Sequence, residues 1–358
     1  MVSISTKCKS SFCGRVGRIL VTGGAGFIGS ALIHALNQEG FEDILVTDFF
    51  GKDDKWKNLR ALRFDDCISA DRFLRKIERF ENFYGDFSAV FHLGACSSTI
   101  EYDLAYLLEN NYYYSLFLAK WAIARGVRFV YASSAATYGN GLQGWDDNNN
   151  LYSYYPLNPY AYSKHLFDIY AHKHSFLQKI VGVKYFNVFG PNEYHKGALR
   201  SFVCKAYEQI LDTGVVKLFR SYHPEYQDGE QRRDLIYVRD AVQMTLHLAT
   251  TPSATGLFNV GSGVSHTWID VTNVIFSVLE RQSQIEFIEM PESIRRQYQY
   301  VTIADISKIR LSGYSHSITL FENAVREYIT CYLATGIRLG EEQVDLHSSS
   351  YDSVQKIC

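Results

Sequence analysis

The chain opens its structured part with a short apolar run, Ile19-Leu20-Val21, that ends in Thr22-Gly23-Gly24. Such a run, closed by glycines, predicts a buried strand. Over residues 30–39, Ala31, Leu32, Ala35 and Leu36 are spaced for one helical face, and Gly40 stops the helix. Residues 43–48 form a second apolar strand. Strand, helix and strand in this order make a βαβ unit, and short continuous apolar strands belong to a parallel sheet covered on both faces. The rhythm continues with strands at 89–93, 128–132 and 180–186 and a helix over 104–125. These elements predict an α/β fold with a doubly wound parallel sheet. Beyond Gly190-Pro191 the order loosens. A strand is expected at 216–219, a polar stretch from 221 to 234, and a late strand at 256–260 that returns to the sheet.

Composition narrows the class without changing this picture. In 358 residues, 47% are apolar and 21% charged, enough to bury a sizeable core and incompatible with a disordered or collagen-like chain. The formal net charge is −2 (36 basic against 38 acidic residues), so nothing draws the whole surface toward nucleic acid or an anionic membrane. A local basic pocket for a phosphorylated ligand remains compatible with that balance. The seven cysteines are odd in number, scattered and without a Cys-x-x-Cys pair, which points to reduced thiols and to no metal site. The least polar stretch, 19–36, carries Thr22, Ser30, His34 and four glycines and makes a poor membrane span. Residues 1–17 hold Lys7, Lys9 and Arg15 without an acid or an apolar block, and read as a disordered basic leader.

The turn after the first strand is Gly23-Gly24-Ala25-Gly26-Phe27-Ile28-Gly29. Gly23, Gly26 and Gly29 would allow a tight turn, close approach of the backbone to a pyrophosphate, and packing of helix on strand. The pyrophosphate would sit at the positive end of the helix. Asp48 closes the next strand 19 residues after Gly29, where a ribose-binding acid belongs. This is the context of a Rossmann-like dinucleotide site. Asp48 favours NAD, whereas Lys52, Lys55 and Lys57 offer charge for the 2′-phosphate of NADP; a solvated loop is the alternative reading of these lysines.

Downstream, Tyr160-Ala161-Tyr162-Ser163-Lys164 places Tyr160 and Lys164 four apart, on one helical face. A neighbouring lysine cation is expected to lower the phenol pKa from about 10, so that the phenol exchanges a proton with a substrate hydroxyl while hydride moves to the cofactor. Tyr155 and Tyr162 compete for that assignment among 26 tyrosines. Ser133-Ser134 ends a strand at the edge that borders the ligand crevice, and a serine there can bond the same substrate oxygen.

Together, Gly-x-x-Gly-x-x-Gly, a serine after the strand and Tyr-x-x-x-Lys resemble the extended short-chain dehydrogenase/reductases. Finer strings are His92-Leu93-Gly94-Ala95-Cys96-Ser97-Ser98-Thr99, Tyr131-Ala132-Ser133-Ser134-Ala135-Ala136-Thr137-Tyr138-Gly139, and Tyr185-Phe186-Asn187-Val188-Phe189-Gly190-Pro191 followed by His195-Lys196-Gly197. With these, the chain over about 18–333 is similar to the ADP-L-glycero-D-manno-heptose 6-epimerase family of lipopolysaccharide core synthesis. The resemblance implies one tightly bound NADP per subunit, with NAD as the alternative, and inversion at C6 of ADP-D-glycero-D-manno-heptose through a transient 6-keto sugar. It further implies a cytoplasmic homo-oligomer, a pentamer, with no membrane or nucleic-acid partner.

Matched position by position, the resemblance makes Ser134, Tyr160, Lys164 and Lys196 catalytic, with Lys196 the second acid/base. Cofactor contacts fall on Gly23, Gly26, Phe27, Ile28, Gly29, Asp48, Phe49, Lys55, Leu93, Gly94, Ala95, Cys96, Ser97, Asn110, Lys164, Val188 and Lys196. Substrate contacts fall on Asn187, Ala198, Lys205, Phe219, Arg220, Ser221, Tyr222, Arg233 and Tyr298. Arg233 suits a diphosphate, although Arg232 stands beside it. The implied division is a leader at 1–17, an NADP-binding domain at 18–190 with 234–263 returning to it, a smaller discontinuous substrate lobe at 191–233 and 264–335, and a loose tail at 336–358.

The chain departs from the family at Phe49, Leu93, Ala70, Ala198 and Lys205, and carries about six extra residues between Tyr222 and Arg233. A 4,6-dehydratase is disfavoured because Ala135-Ala136-Thr137-Tyr138 supplies no acid. A UDP-hexose 4-epimerase, or a cofactor-binding scaffold or sensor without turnover, are the alternative readings.

Overall fold

The structure, a computed structural model, describes residues 11, 12, 15–78 and 86–342. Seven parallel strands build the central sheet: β1 (Arg18–Thr22), β2 (Ile44–Asp48), β3 (Asp66–Ser69), β4 (Phe87–His92), β5 (Arg128–Ser134), β6 (Val181–Tyr185) and β7 (Gly256–Val260). Their order is β3-β2-β1-β4-β5-β6-β7. Side chains alternate across the sheet. Ile19, Val21, Val46, Phe91 and Val130 enter the core on one face; Leu20, Leu45, Val90 and Phe129 enter the core on the other. Burial on both faces is why these strands read as uninterrupted apolar runs. The strand order reverses between β1 and β4, so a crevice opens there at the carboxyl ends.

The helix after β1 spans Phe27–Gln38 and starts three residues before its apolar periodicity begins. The expected helix over 104–125 is present but is interrupted by a π-helical segment, Leu108–Tyr113, between Leu104–Leu107 and Tyr114–Ala124. The strand β3 escaped the sequence pattern because only Ile68 of its four residues is buried.

A smaller set of strands stands over the crevice. Asn187–Phe189 and Ser265–Thr267 flank Arg232–Tyr237 in a three-stranded sheet, and Val216–Phe219 pairs in parallel with Ile285–Ile288. The strand Arg232–Tyr237 begins inside the stretch expected to be polar and irregular. It does so because the Asp234 carboxylate, fully buried, receives hydrogen bonds from the backbone N–H groups of Ser262 (2.7 Å), Gly263 (2.9 Å) and Ala304 (2.9 Å).

Three further expectations change. Of the leader, Ser11–Phe12 pairs antiparallel with Arg15–Val16, and its other residues up to 14 lie outside the described residues. Residues 336–342 are packed rather than loose: Leu339 is 1% exposed, its N–H donates to Asn192 Oδ1 (3.0 Å), and Arg338 Nε donates to Asn58 Oδ1 (3.1 Å). The remainder of the expected tail, 343–358, lies outside the described residues. Cys67, Cys96 and Cys204 are free, but Cys331 is disulfide-bonded, against the expectation of reduced thiols throughout. No helix among the described residues is long and apolar enough to cross a membrane.

Candidate active site

The glycine turn is built for a ligand that needs bare backbone. Gly23 has φ +67°, and a Cβ on Gly29 would lie 2.1 Å from the Gly23 carbonyl oxygen. The helix Phe27–Gln38 starts at Gly26 with no side-chain cap and no acid in its first turn, leaving its N–H groups to an external acceptor. Such a cradle fits a pyrophosphate. Asp48 is tied to the same turn, its Oδ2 accepting from Ala25 N (2.9 Å) and its Oδ1 from Lys55 Nζ (2.9 Å). Of the three lysines in the following loop, Lys57 turns to Asp54 (2.8 Å) and Lys52 is exposed, so Lys55 alone reaches Asp48.

The strand β5 delivers Ser133 and Ser134. Pleating separates them: Ser133 Oγ donates to Asp168 (2.7 Å), while Ser134 accepts from Ala136 N (3.1 Å) and hydrogen-bonds Tyr160. The helix Pro159–Lys173, capped by Asn158 and led by Pro159, presents Tyr160 and Lys164 one turn apart. Lys164 Nζ donates to the Ala132 carbonyl (2.9 Å). Burial raises the Tyr160 phenol above its ordinary value, against the hydrogen bond with Ser134. The downward shift expected from the lysine is not found: burial dominates, and Ser134 supplies the opposing pull. The same burial lowers Lys164 to about 8. Tyr155 and Tyr162 are 76% and 44% exposed and stand apart from this pair.

Lys196 comes from another element, the 3-10 run Tyr194–Leu199, and its ammonium lies 5.4 Å from the centre of the Phe27 ring at the glycine turn. Burial lowers its pKa; Glu193 pulls it up and Lys205 down.

These groups line one cavity of about 820 Å³. Among the described residues its lining contains Lys164, Lys196, Arg200, Lys205, Lys217 and Arg233 and no aspartate or glutamate. Arg233 is buried, its guanidinium 4.9 Å from the Tyr298 ring and 5.5 Å from Trp268, whereas Arg232 is exposed. An arginine stacked between aromatic rings without a carboxylate partner is poised for a planar contact with phosphate. No cluster of histidine, cysteine or acidic residues among the described residues could hold a metal ion.

The profile of the NAD dependent epimerase/dehydratase family matches residues 19–261. The ADP-L-glycero-D-manno-heptose-6-epimerase of Nitratidesulfovibrio vulgaris is 47% identical over 316 residues, covering 88% of this chain and 98% of that protein. The chain belongs to the NAD dependent epimerase/dehydratase family, among the ADP-L-glycero-D-manno-heptose-6-epimerases. The enzyme of that name from Fusobacterium nucleatum subsp. nucleatum is 40% identical over 326 residues, 88% of this chain and 98% of its own. The crystal structure of the Helicobacter pylori ADP-L-glycero-D-manno-heptose-6-epimerase superposes with a TM-score of 0.72 at 26% identity, covering 92% of this chain and 98% of that one.

Within this epimerase fold the matched positions divide. Phe27, Ile28, Leu93, Ala95, Ser97, Ser134, Tyr160, Lys164, Asn187, Val188, Lys196, Lys205, Phe219, Arg233 and Tyr298 line the cavity. Gly94 and Cys96 alternate away from it; Gly94 N donates to Thr22 Oγ1 (3.1 Å), and Asn111 holds Cys96 N and O (2.8 and 3.0 Å). Phe49 is partly exposed and stands edge-on to Tyr114, with ring centres 6.2 Å apart.

Asn110 is not brought to the cavity lining. Its Nδ2 donates to the Tyr106 carbonyl (2.8 Å) on the exposed side of the helical run, and the inward neighbour is Asn111, which also bonds Ser163 Oγ (2.9 Å). Ala198 is exposed beside Gly197. Arg220 and Ser221 are drawn to Asp228 (both 2.8 Å), and Tyr222 to Glu289 and Arg295, leaving Phe219 as the member of that string in the lining. Part of the extra segment packs there as well: Tyr226 stacks on Tyr300 and His223 lies tilted against it, next to Tyr298.

Sequence reasoning missed Arg200, Lys217, Trp268, Gln299 and Thr302, all in the lining. Nothing in their local spacing marks them: Trp268 opens the helix Trp268–Val278, Lys217 is the exposed residue between the buried Val216 and Leu218 of its strand, and the other three lie in irregular segments.

Proposed function

We propose that this chain interconverts ADP-D-glycero-D-manno-heptose and ADP-L-glycero-D-manno-heptose, serving lipopolysaccharide core synthesis. The observation that carries this reading is the cavity itself: six cationic side chains in its lining, of which Arg200 and Lys217 are ion-paired to Glu208 and Glu286 outside that lining, and the hydroxyls of Ser134 and Tyr160 sharing it with Lys196 from a different element. Such a cavity favours a ligand carrying several phosphate charges. The 39–47% identity to epimerases of that name over almost their whole length supports the substrate.

The glycine cradle, Asp48 and Lys55 would hold the nicotinamide cofactor. When bound it supplies reversible hydride acceptance at the sugar carbinol carbon. Tyr160 takes the hydroxyl proton at O6, and Ser134 hydrogen-bonds that oxygen as the 6-keto sugar forms. Lys164, a turn from Tyr160, would help hold and orient the cofactor when it is bound. The centre inverts when hydride comes back to the other face of the ketone, and Lys196 would supply the proton to the oxygen in that second orientation. Arg233, held between Tyr298 and Trp268, binds the diphosphate. The Lys55 ammonium on Asp48 favours NADP over NAD, since it neutralises the acid that would repel a 2′-phosphate.

Incubation of the purified chain with ADP-D-glycero-D-manno-heptose, followed by proton NMR, tests this. Conversion to a mixture of the two C6 epimers is expected. Absence of conversion, alongside epimerisation of a UDP-hexose at C4, would replace the reading with its alternative.

A further inference from the structure

Behind Ser134 and Tyr160 lies an ionic knot from which the reaction takes no atom. Asp168 and Lys184 are both fully buried and form an ion pair of 2.8 Å. Asp168 also accepts from Tyr131 OH (2.8 Å) and Ser133 Oγ (2.7 Å). Lys184 donates to Thr137 Oγ1 (2.5 Å), and the Thr137 hydroxyl donates to the Ser134 carbonyl (2.7 Å). The Lys184 ammonium further lies 4.8 Å from the centre of the Tyr138 ring. Removing two charges from water costs about as much as their attraction returns. Stability alone therefore gives no reason for this pair, whereas its position does.

The knot grips both sides of Ser134. Ser133, the preceding residue, bonds Asp168 directly, and the Ser134 carbonyl is reached through Lys184 and Thr137. On the helix Pro159–Lys173, Asp168 also lies one turn beyond Lys164, on the same face. We propose that Asp168 is a positioning residue for the reaction: it fixes the Ser134 strand end and supplies the negative charge that balances Lys164. The proposal rests on the roles given above to Ser134 and Lys164.

Other groups around Lys164 are the Cys96 thiol, after β4, and His92, within it, whose imidazole burial holds neutral by lowering its pKa to about 3. Asp168 is the largest influence opposing the downward pull of burial on Lys164. Asp168 is thus the carboxylate that supports the Lys164 ammonium against burial.

Fluorescence titration of the full chain with NADPH from pH 6 to 9 tests the charge. In the wild type, affinity falls as pH rises through about 8, where Lys164 loses its proton. In Asp168→Asn, the midpoint moves down by about one unit. Because that variant leaves Lys184 unpaired, the double variant Asp168→Asn/Lys184→Met is measured beside it and moves the same way. A wild-type profile flat through pH 8, or an unmoved midpoint in either folded variant, overturns the charge role. Ser133→Ala tests the grip on Ser134: kcat falls several-fold with KM and the NADPH midpoint unchanged, and wild-type kcat would overturn it. An error in the proposed substrate shows separately, as absence of product while the NADPH midpoint still moves.

Discussion

Tyr160 and Lys164 show how one cause acts oppositely on an acid and a base. Burial disfavours the charged form of each, raising the phenol and lowering the ammonium to about 8. The two groups therefore move apart in proton affinity: the phenol stays neutral and hydrogen-bonded to Ser134, while the ammonium gives up its proton more readily. Tyr160→Phe removes the transferable proton and Lys196→Met removes its counterpart. Each is expected to reduce epimerisation by roughly a hundred-fold or more, read from the NMR time course. Wild-type turnover in both variants would discard the two-sided assignment. Lys55→Ala is expected to weaken NADP more than NAD in fluorescence titration, because Lys55 is the one lysine of its loop seated on Asp48. Identical losses for both would remove Lys55 from the 2′-phosphate contact. At this scale, residue type was legible and orientation was not. The strings contain Ser133-Ser134, Asn110-Asn111 and Arg232-Arg233, and nothing local tells which member of each pair faces the cleft.

Elements were more legible, because their signals are local. The apolar runs of β1, β2, β4, β5, β6 and β7 follow from burial on both faces of the sheet. The glycine turn follows from a backbone that admits no side chain at position 29. Gly29→Ala is expected to cost about 1–3 kcal/mol in chemical denaturation and to abolish NADPH binding, since its Cβ would meet the Gly23 carbonyl. Unaltered binding would show that the turn does not form the cradle. Two elements were illegible for physical reasons. The strand β3 buries a single side chain, and Arg232–Tyr237 hides charged residues whose partners lie some thirty to seventy positions away.

Across the whole molecule, distant segments close the site. Asn58, buried in the loop after β2, donates to the carbonyls of Ala25 and Asn192 (both 3.0 Å), and Asn192 Nδ2 donates to Ser30 Oγ (3.0 Å). Arg338 and Leu339 complete this knot from the far end of the described chain. The glycine turn and the run carrying Lys196 are thereby joined through residues that look like loop and tail in sequence. Leu339→Ala is expected to lose about 2–5 kcal/mol in urea denaturation, the cost of emptying a buried leucine site. A loss below half a kilocalorie would mean that the segment 336–342 merely rests on the surface.

The amino-acid order by itself determined the doubly wound sheet, the phosphate turn and the residue types of the reaction, since apolar runs, glycine conformation and one-turn spacing act over a few neighbouring positions. The tertiary structure alone decided which serine meets Tyr160, which lysine meets Asp48, and that six cations from separate segments share one cavity. Those facts depend on which distant segments exclude water from a side chain and which supply its partner, and neither is encoded in the spacing around the residue itself.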